Sequence, residues 1–341
     1  MSFPIELIPT PKQERWKYTN LPRALKGLSL SPASLGWGAG NVALLNANAP
    51  GAKQYADTAL WDLNTAQAKD VKFITSDETV EINANDGQWL SPRLIIHVKD
   101  NEEMTVIERQ SGQGGYFKNQ VVQIVIGKNA KLRHYRLYDE SANGVTNVFT
   151  HATIARDARY EAFNMVVGAG TIRNQIHTEL QGENADCTLG GINLLKGEQH
   201  ADTTITIEHQ APNCTSNQTY KSVLDGRAHC VFQGKVHVHQ IAQKTDGYQL
   251  SNALILSPEA QMDTKPELEI YADDVKCSHG ATTGRLEDTS LFYLRARGIP
   301  EEKARSLLIN AFCTQALETI GDEEYRAAME ERLIQWLGIQ A

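Results

Sequence analysis

The segment YADDVKCSHGAT, Tyr271 to Thr282, sets a thiol and an imidazole two residues apart, behind two aspartates and a lysine and ahead of a glycine. Residues two apart in an extended strand share a face, so Cys277 and His279 would point the same way. Both are soft or borderline ligands, suited to iron-sulfur clusters, zinc or copper. Two ligands alone do not hold a cluster, so completion needs distant residues, a second chain or a sulfur source. Lys276 would aid ionisation of the thiol if its side chain lay on the same side. A cysteine nucleophile activated by histidine is a weaker alternative, because no oxyanion element accompanies the pair. In the plainest case Cys277 packs as a small apolar residue and His279 makes one structural hydrogen bond.

A second constellation is KVHVHQ, in which His237 and His239 would share a strand face at the spacing that cupin-type metal sites use for two of their ligands. It keeps open a cupin-like or solenoid metalloenzyme. No nearby downstream glutamate followed by a third histidine in the usual arrangement is present, and solvated or interface histidines are the alternative. Asp246, Gln249 and Asn252, in KTDGYQLSN, are expected to serve corners. Neither a GxxxxGK[ST] loop nor a GxGxxG fingerprint is present, so in an ATP-driven process another chain must supply the hydrolysis.

Composition bounds what these residues can serve. The chain has 341 residues, 41% hydrophobic and 22% charged, enough for a substantial core. A net charge of −8 without any basic run argues against nucleic acid and anionic membrane as partners. The start, MSFPIELIPTPKQERWKY, lacks an apolar run of signal-peptide length, and no later stretch reaches a membrane span, so a cytoplasmic protein is expected. Five cysteines, Cys187, Cys214, Cys230, Cys277 and Cys313, are an odd number without CxxC pairing. That argues against both a disulfide framework and a self-contained zinc site.

The elements that must position the two constellations are mostly strands. Residues 1–71 mix prolines with short amphipathic pieces and read as a mixed or helical N-terminal region. Over 72–283 the texture becomes short alternating or apolar runs, among them RLIIHV, MTVIER, QVVQIVI and TTITIEH, separated by Gly, Asn and Asp turns. A polar turn followed by an alanine recurs there at Ala130, Ala158, Ala185, Ala228 and Ala260, with one longer interval between Ala185 and Ala228. Near-regular recurrence without crossover helices suits a parallel β-solenoid, with an antiparallel sandwich or cupin-type barrel as the rival. Residues 284–341 switch to helix in three units. Glu287 and Asp288 lead the first into Gly298, and Pro300 opens the second with Ala304, Leu307, Leu308, Ala311, Phe312 and Ile320 as its stripe. Asp322 starts the third with Tyr325, Met329, Leu333, Trp336 and Leu337.

At LEIYADDVKCSHGATTGRLEDTSLFYLRARGIPEEKA, Leu268 to Ala304, the chain resembles the SufB/SufD family of iron-sulfur cluster assembly scaffolds. The resemblance extends upstream through TYKSVLDGRAHCVFQGKVHV and AQKTDGYQLSNALILSPEAQMDTKPELEIY, with a shorter echo in ERWKYTNL. Gly280 stands where SufB-like chains carry a glutamate after the histidine, which favours the SufD branch. The resemblance implies an all-β core, a right-handed parallel β-helix, flanked by N- and C-terminal helical regions. It implies a non-enzymatic scaffold that pairs with a SufB-like paralogue through the β-helices. It also implies that the C-terminal helical region engages a SufC-like ABC-type ATPase. Cys277 and His279 map onto the family's motif at that paralogue interface, where a transient iron-sulfur cluster or iron would be shared and nothing would be tightly bound to the isolated chain. Self-association of the isolated chain into a homodimer is a further expectation, because solenoid ends must be covered. No family role is carried onto His237 or His239.

Overall fold

The structure, a computed structural model, describes residues 3–39, 52–67 and 69–338, so part of the N-terminal region expected over 1–71 lies outside the described residues. The first strands are short: β1 (Ser31–Pro32), β2 (Val71–Ile74), β3 (Glu78–Ala84), β4 (Gln88–Leu90) and β5 (Arg93–Val98). Longer ones follow: β6 (Glu103–Gly112), β7 (Phe117–Ile126), β8 (Lys131–Asp139), β9 (Val145–Ile154), β10 (Arg159–Gly168), β11 (Thr171–Leu180) and β12 (Asp186–Leu195). The last are β13 (His200–His209), β14 (Thr215–Leu224), β15 (His229–Val238), β16 (Thr245–Ile255), β17 (Gln261–Ile270) and β18 (Val275–Gly284).

From β6 onward successive strands alternate between two sheets. One runs β1-β4-β7-β9-β11-β13-β15-β17, with β2 and β5 beside it, and the other runs β18-β16-β14-β12-β10-β8-β6-β3. The ladders are parallel, which excludes the antiparallel sandwich and the cupin barrel, and the chain winds a solenoid of about seven turns. Residues such as Val106, Val122, Leu132, Val148, Ile176, Leu189, Ile205 and Phe232 meet between the sheets as one core.

The corners explain the alanine phrase. Asn101, Asn129, Asp157, Asn184, Asn213 and Lys244 turn successive coils at φ of 54–64°. Asn and Asp tolerate this left-handed region because their short side chains bond locally. Here they also stack: Asn129 Nδ2 donates to Asn101 Oδ1 at 2.9 Å, and Asn184 Nδ2 to Asp157 Oδ1 at 2.8 Å. Ala130, Ala158 and Ala185 follow this corner, whereas Ala228 and Ala260 precede β15 and β17 at the opposite one. Cys214 stands where the next alanine of the first series belongs, so the long interval is a change of corner. Coils approach closely there, and a Cβ on Gly182 would overlap the backbone nitrogen of Arg156. Gly182→Ala should therefore lower the stability read from urea unfolding by about 3 kcal/mol, because backbone cannot step aside as a side chain can.

The interior also holds charge. Glu108, almost fully buried, accepts from Arg136 Nε at 2.7 Å and Gln120 Nε2 at 2.6 Å, and lies 2.6 Å from His134 Nε2. Arg136 also donates to Thr150 Oγ1 at 2.9 Å.

The N-terminal segment covers the outer face of the first sheet. It contributes α1 (Leu21–Ala24), α2 (Ala52–Tyr55) and α3 (Thr58–Ala66). The Arg173 guanidinium lies 4.2 Å from the Trp16 ring and that of Arg93 4.5 Å from Trp61, while Thr19 Oγ1 donates to Asp202 at 2.5 Å.

Three helices follow the solenoid: α4 (Asp288–Ala296), α5 (Glu301–Leu317) and α6 (Glu323–Trp336). Gly298 ends the first at φ +85°, and the Asp322 carboxylate caps the third by accepting from Tyr325 N at 2.9 Å. The solenoid receives α5 and α6. Ile309, Cys313, Ala316, Leu317, Tyr325, Met329 and Leu333 pack on Phe163, Met165, Ile192 and Val223, on the outside of the second sheet. The expected stripe of α5 is thus rotated, because docking on the sheet selects Ile309 and Cys313 and leaves Leu307 and Ala311 outside. α4 buries none of its residues, with Phe292 73% and Tyr293 55% exposed.

Candidate functional site at the last coil

β17 and β18 each end a sheet, pairing on one side only, with β15 and β16 respectively. Each therefore presents an unpaired backbone edge of ten residues, the kind of surface that folds normally cover or blunt. No residue of β17 or β18 is fully buried, and Leu268, Ile270 and Cys277 of the inward series stay partly open at this end.

The register places the first constellation. Cys277 lies opposite Gly247 and His279 opposite Gln249. Gly247 and Gln249 are buried inward positions of β16, so Cys277 and His279 share the inward face at the open end, as two-residue spacing requires. By the same alternation Lys276, opposite the exposed Asp246, points to the other face. The expected help from Lys276 is therefore withdrawn: burial pushes the Cys277 thiol up, the bond from the Gly247 backbone offsets part of this, and Asp246 adds to it.

Among the five free thiols Cys277 alone is not buried. Burial pushes Cys230 and Cys313 up to about 12 and Cys214 to about 11, which leaves them packing residues. Asp246, Gln249 and Asn252 are not corner residues, because all three lie within β16. Gln249 is 1% exposed, and neither end of its carboxamide has a hydrogen-bond partner among the described residues. Gln218, its neighbour on β14, is in the same condition. The inward series Gln218, Gln249, His279 thus runs from orphaned polar groups to an exposed imidazole, an arrangement that invites water or a polar ligand.

His237 and His239 do not join this pair. His237 is on the outer face of β15, whose inward Val236 and Val238 pack with Cys277, and Glu208 of the preceding coil approaches both rings. Glu208 lies upstream of both histidines in the chain, and the solenoid register alone sets it beside His237. A further grouping, His151, His177 and Glu179, gathers three neighbouring strand positions that sequence reading also leaves apart.

A family model described as SUF system FeS cluster assembly, SufBD core domain, matches residues 80–312. The chain belongs to the SufBD family. This SufBD chain is 35% identical over 246 residues to the iron-sulfur cluster assembly protein SufD of Escherichia coli, covering 71% of the chain and 58% of that protein. It is 37% identical over 241 residues to a SufBD family protein of Synechocystis, at 68% and 53% coverage. It is 34% identical over 240 residues to a chloroplastic protein of Arabidopsis thaliana, at 69% and 50%. The chain thus spans between half and three-fifths of the length of these relatives. The matched region contains both Cys277 and His279 and the solenoid from β4 onward. Among the described residues no helix is long and apolar enough to cross a membrane.

Proposed function

We propose that this SufBD chain is a scaffold subunit rather than a catalyst, on which iron and sulfide, as substrates, are assembled into a cluster at an interface with a SufB-like paralogue. The observation that carries this reading is the pair of inward ligands, Cys277 and His279, on the uncovered last coil. A partner coil added to the edges of β17 and β18 would satisfy their backbone groups and bring the ligands this chain lacks. Cys277, whose thiol burial holds protonated, would release its proton as iron arrives. His279 would bind iron or accept that proton. The exposed Phe292 and Tyr293 of α4 offer a docking face for a SufC-like ABC-type ATPase, whose nucleotide-driven dimerisation would pull on the helices and open the interface.

Co-expression with the paralogue and ATPase of the same organism, followed by tagged purification, tests this reading. Stable co-elution of all three chains is expected. Phe292→Asp with Tyr293→Asp should release the ATPase, Ile270→Asp should release the paralogue, and the Cys277→Ala/His279→Ala variant should release neither. Deleting the helices is a poorer test, because it uncovers Phe163, Ile192 and Val223 on the second sheet. Elution of the wild-type chain alone would remove the scaffold reading.

A further inference from the structure

Three side chains from two consecutive coils converge outside the solenoid wall. In-register pairing of β13 with β15 sets Glu208 beside His237, and His239 follows at the start of the next corner. His237 Nδ1 lies 3.0 Å and His239 Nε2 2.8 Å from the same oxygen, Glu208 Oε2. The two rings are 4.4 Å apart, and one ligand atom from each of the three residues falls within 4.8 Å of the others. None of the three is sealed off: the side chains of Glu208, His237 and His239 are 14%, 21% and 39% exposed.

We propose that Glu208, His237 and His239 bind one divalent first-row transition ion of the class of ferrous iron, cobalt, nickel or zinc. Two imidazoles and a carboxylate suit such borderline ions, whereas calcium and magnesium take oxygen sets. The spacing fits as well. Adjacent ligands on an octahedral ion with bonds of about 2.1 Å lie about 3.0 Å apart, close to the 3.0 and 2.8 Å between the histidine nitrogens and the Glu208 oxygen, and a tetrahedral ion needs them only slightly wider. Both imidazole nitrogens now converge on one carboxylate oxygen, and an ion would take the place of the protons between them.

The cations of the adjoining groove are already engaged: Lys235 pairs with Glu269, Lys265 with Glu14 and Arg173 with Asp202, while Arg15 donates to the Tyr55 carbonyl. Glu179 occupies the position next to Glu208 on β11. Lys235, two residues before His237, is engaged by Glu269, which also accepts from the Tyr271 hydroxyl at 2.7 Å. The Tyr271 ring stands edge-on to His237 at 5.6 Å and walls one side. A groove of about 380 Å³ beneath the N-terminal segment reaches Glu208 from the other side. The grouping of His151, His177 and Glu179 is chemically similar but closed, because the Tyr55 ring stacks on His177 at 3.6 Å.

The site is independent of the cluster-assembly reading, since it uses neither Cys277 nor His279 and lies across the β15 wall from Cys277. Cobalt(II) titrated into the metal-free full chain, followed by its visible absorption and by calorimetry, tests it. One equivalent should bind, and His239→Ala and Glu208→Gln should each weaken binding tenfold or more with the thermal unfolding midpoint retained. The Cys277→Ala/His279→Ala variant should bind as the wild type does. Absence of saturable binding, unchanged affinity in His239→Ala and Glu208→Gln, or loss of binding in the Cys277→Ala/His279→Ala variant instead would each overturn the proposal.

Discussion

Replacing Glu108 by alanine should cost about 3–5 kcal/mol of folding stability, because it strands the Arg136 guanidinium inside the solenoid without its counter-charge. Burial alone would push the Glu108 carboxyl up, but the Arg136 charge and the His134 hydrogen bond outweigh it and hold the group at about 2. Burial also pushes His134 down, and because the Glu108 carboxylate can only accept, the short contact with it calls for a proton on His134 Nε2. A carboxyl whose folded pKa lies below its ordinary 4.5 stabilises the fold fully above that value, and the contribution is lost as pH falls towards 2. Urea unfolding should therefore show the wild type losing stability over that acid range, and a Glu108→Leu/Arg136→Leu variant losing less of it. The paired replacement should also be milder than Glu108→Ala, since it leaves no unpaired charge in the interior. A cost below about 1 kcal/mol for Glu108→Ala would show that Arg136 finds another partner or water, and the network would then contribute little.

The contrast between Glu108 and Cys277 shows how far the sequence could be read. Strand segments such as TTITIEH and the shared face of Cys277 and His279 follow from alternation alone, a property of the local backbone. Partners across coils follow only from register. Glu108 and Arg136 are separated in the chain by one full coil and directly paired in space, and so are Glu208 and His237. Nothing local marks those pairs, and only a known coil length would align them. The alanine phrase carried that length, but it mixed two corners, and the left-handed Asn and Asp residues beside it give a cleaner series. The rotated face of α5 has a similar origin. A helix with apolar residues on several sides takes its buried stripe from the surface it meets, here Phe163, Ile192 and Val223.

Within the assembled complex, His279→Ala should lower the yield of bound cluster tenfold or more while all subunits still co-elute. The magnitude follows from metal sites in general, where losing even an outer-shell partner costs roughly 10–100-fold in affinity or activity, so losing a ligand should cost at least as much. Complex stability should hold because docking would draw on the ten-residue edges of β17 and β18 and on the apolar Leu268 and Ile270 of the same coil. The size of the loss alone does not separate an iron ligand from a hydrogen-bonding residue, but two further substitutions do. His279→Cys supplies a different ligand and should recover part of the yield, since thiolates hold iron-sulfur clusters. His279→Asn keeps a polar hydrogen-bonding group without an imidazole, and it should remain as deficient as alanine. The opposite pattern, rescue by asparagine and none by cysteine, would assign His279 to the same polar inward series as Gln249 and leave Cys277 as the only ligand this chain contributes.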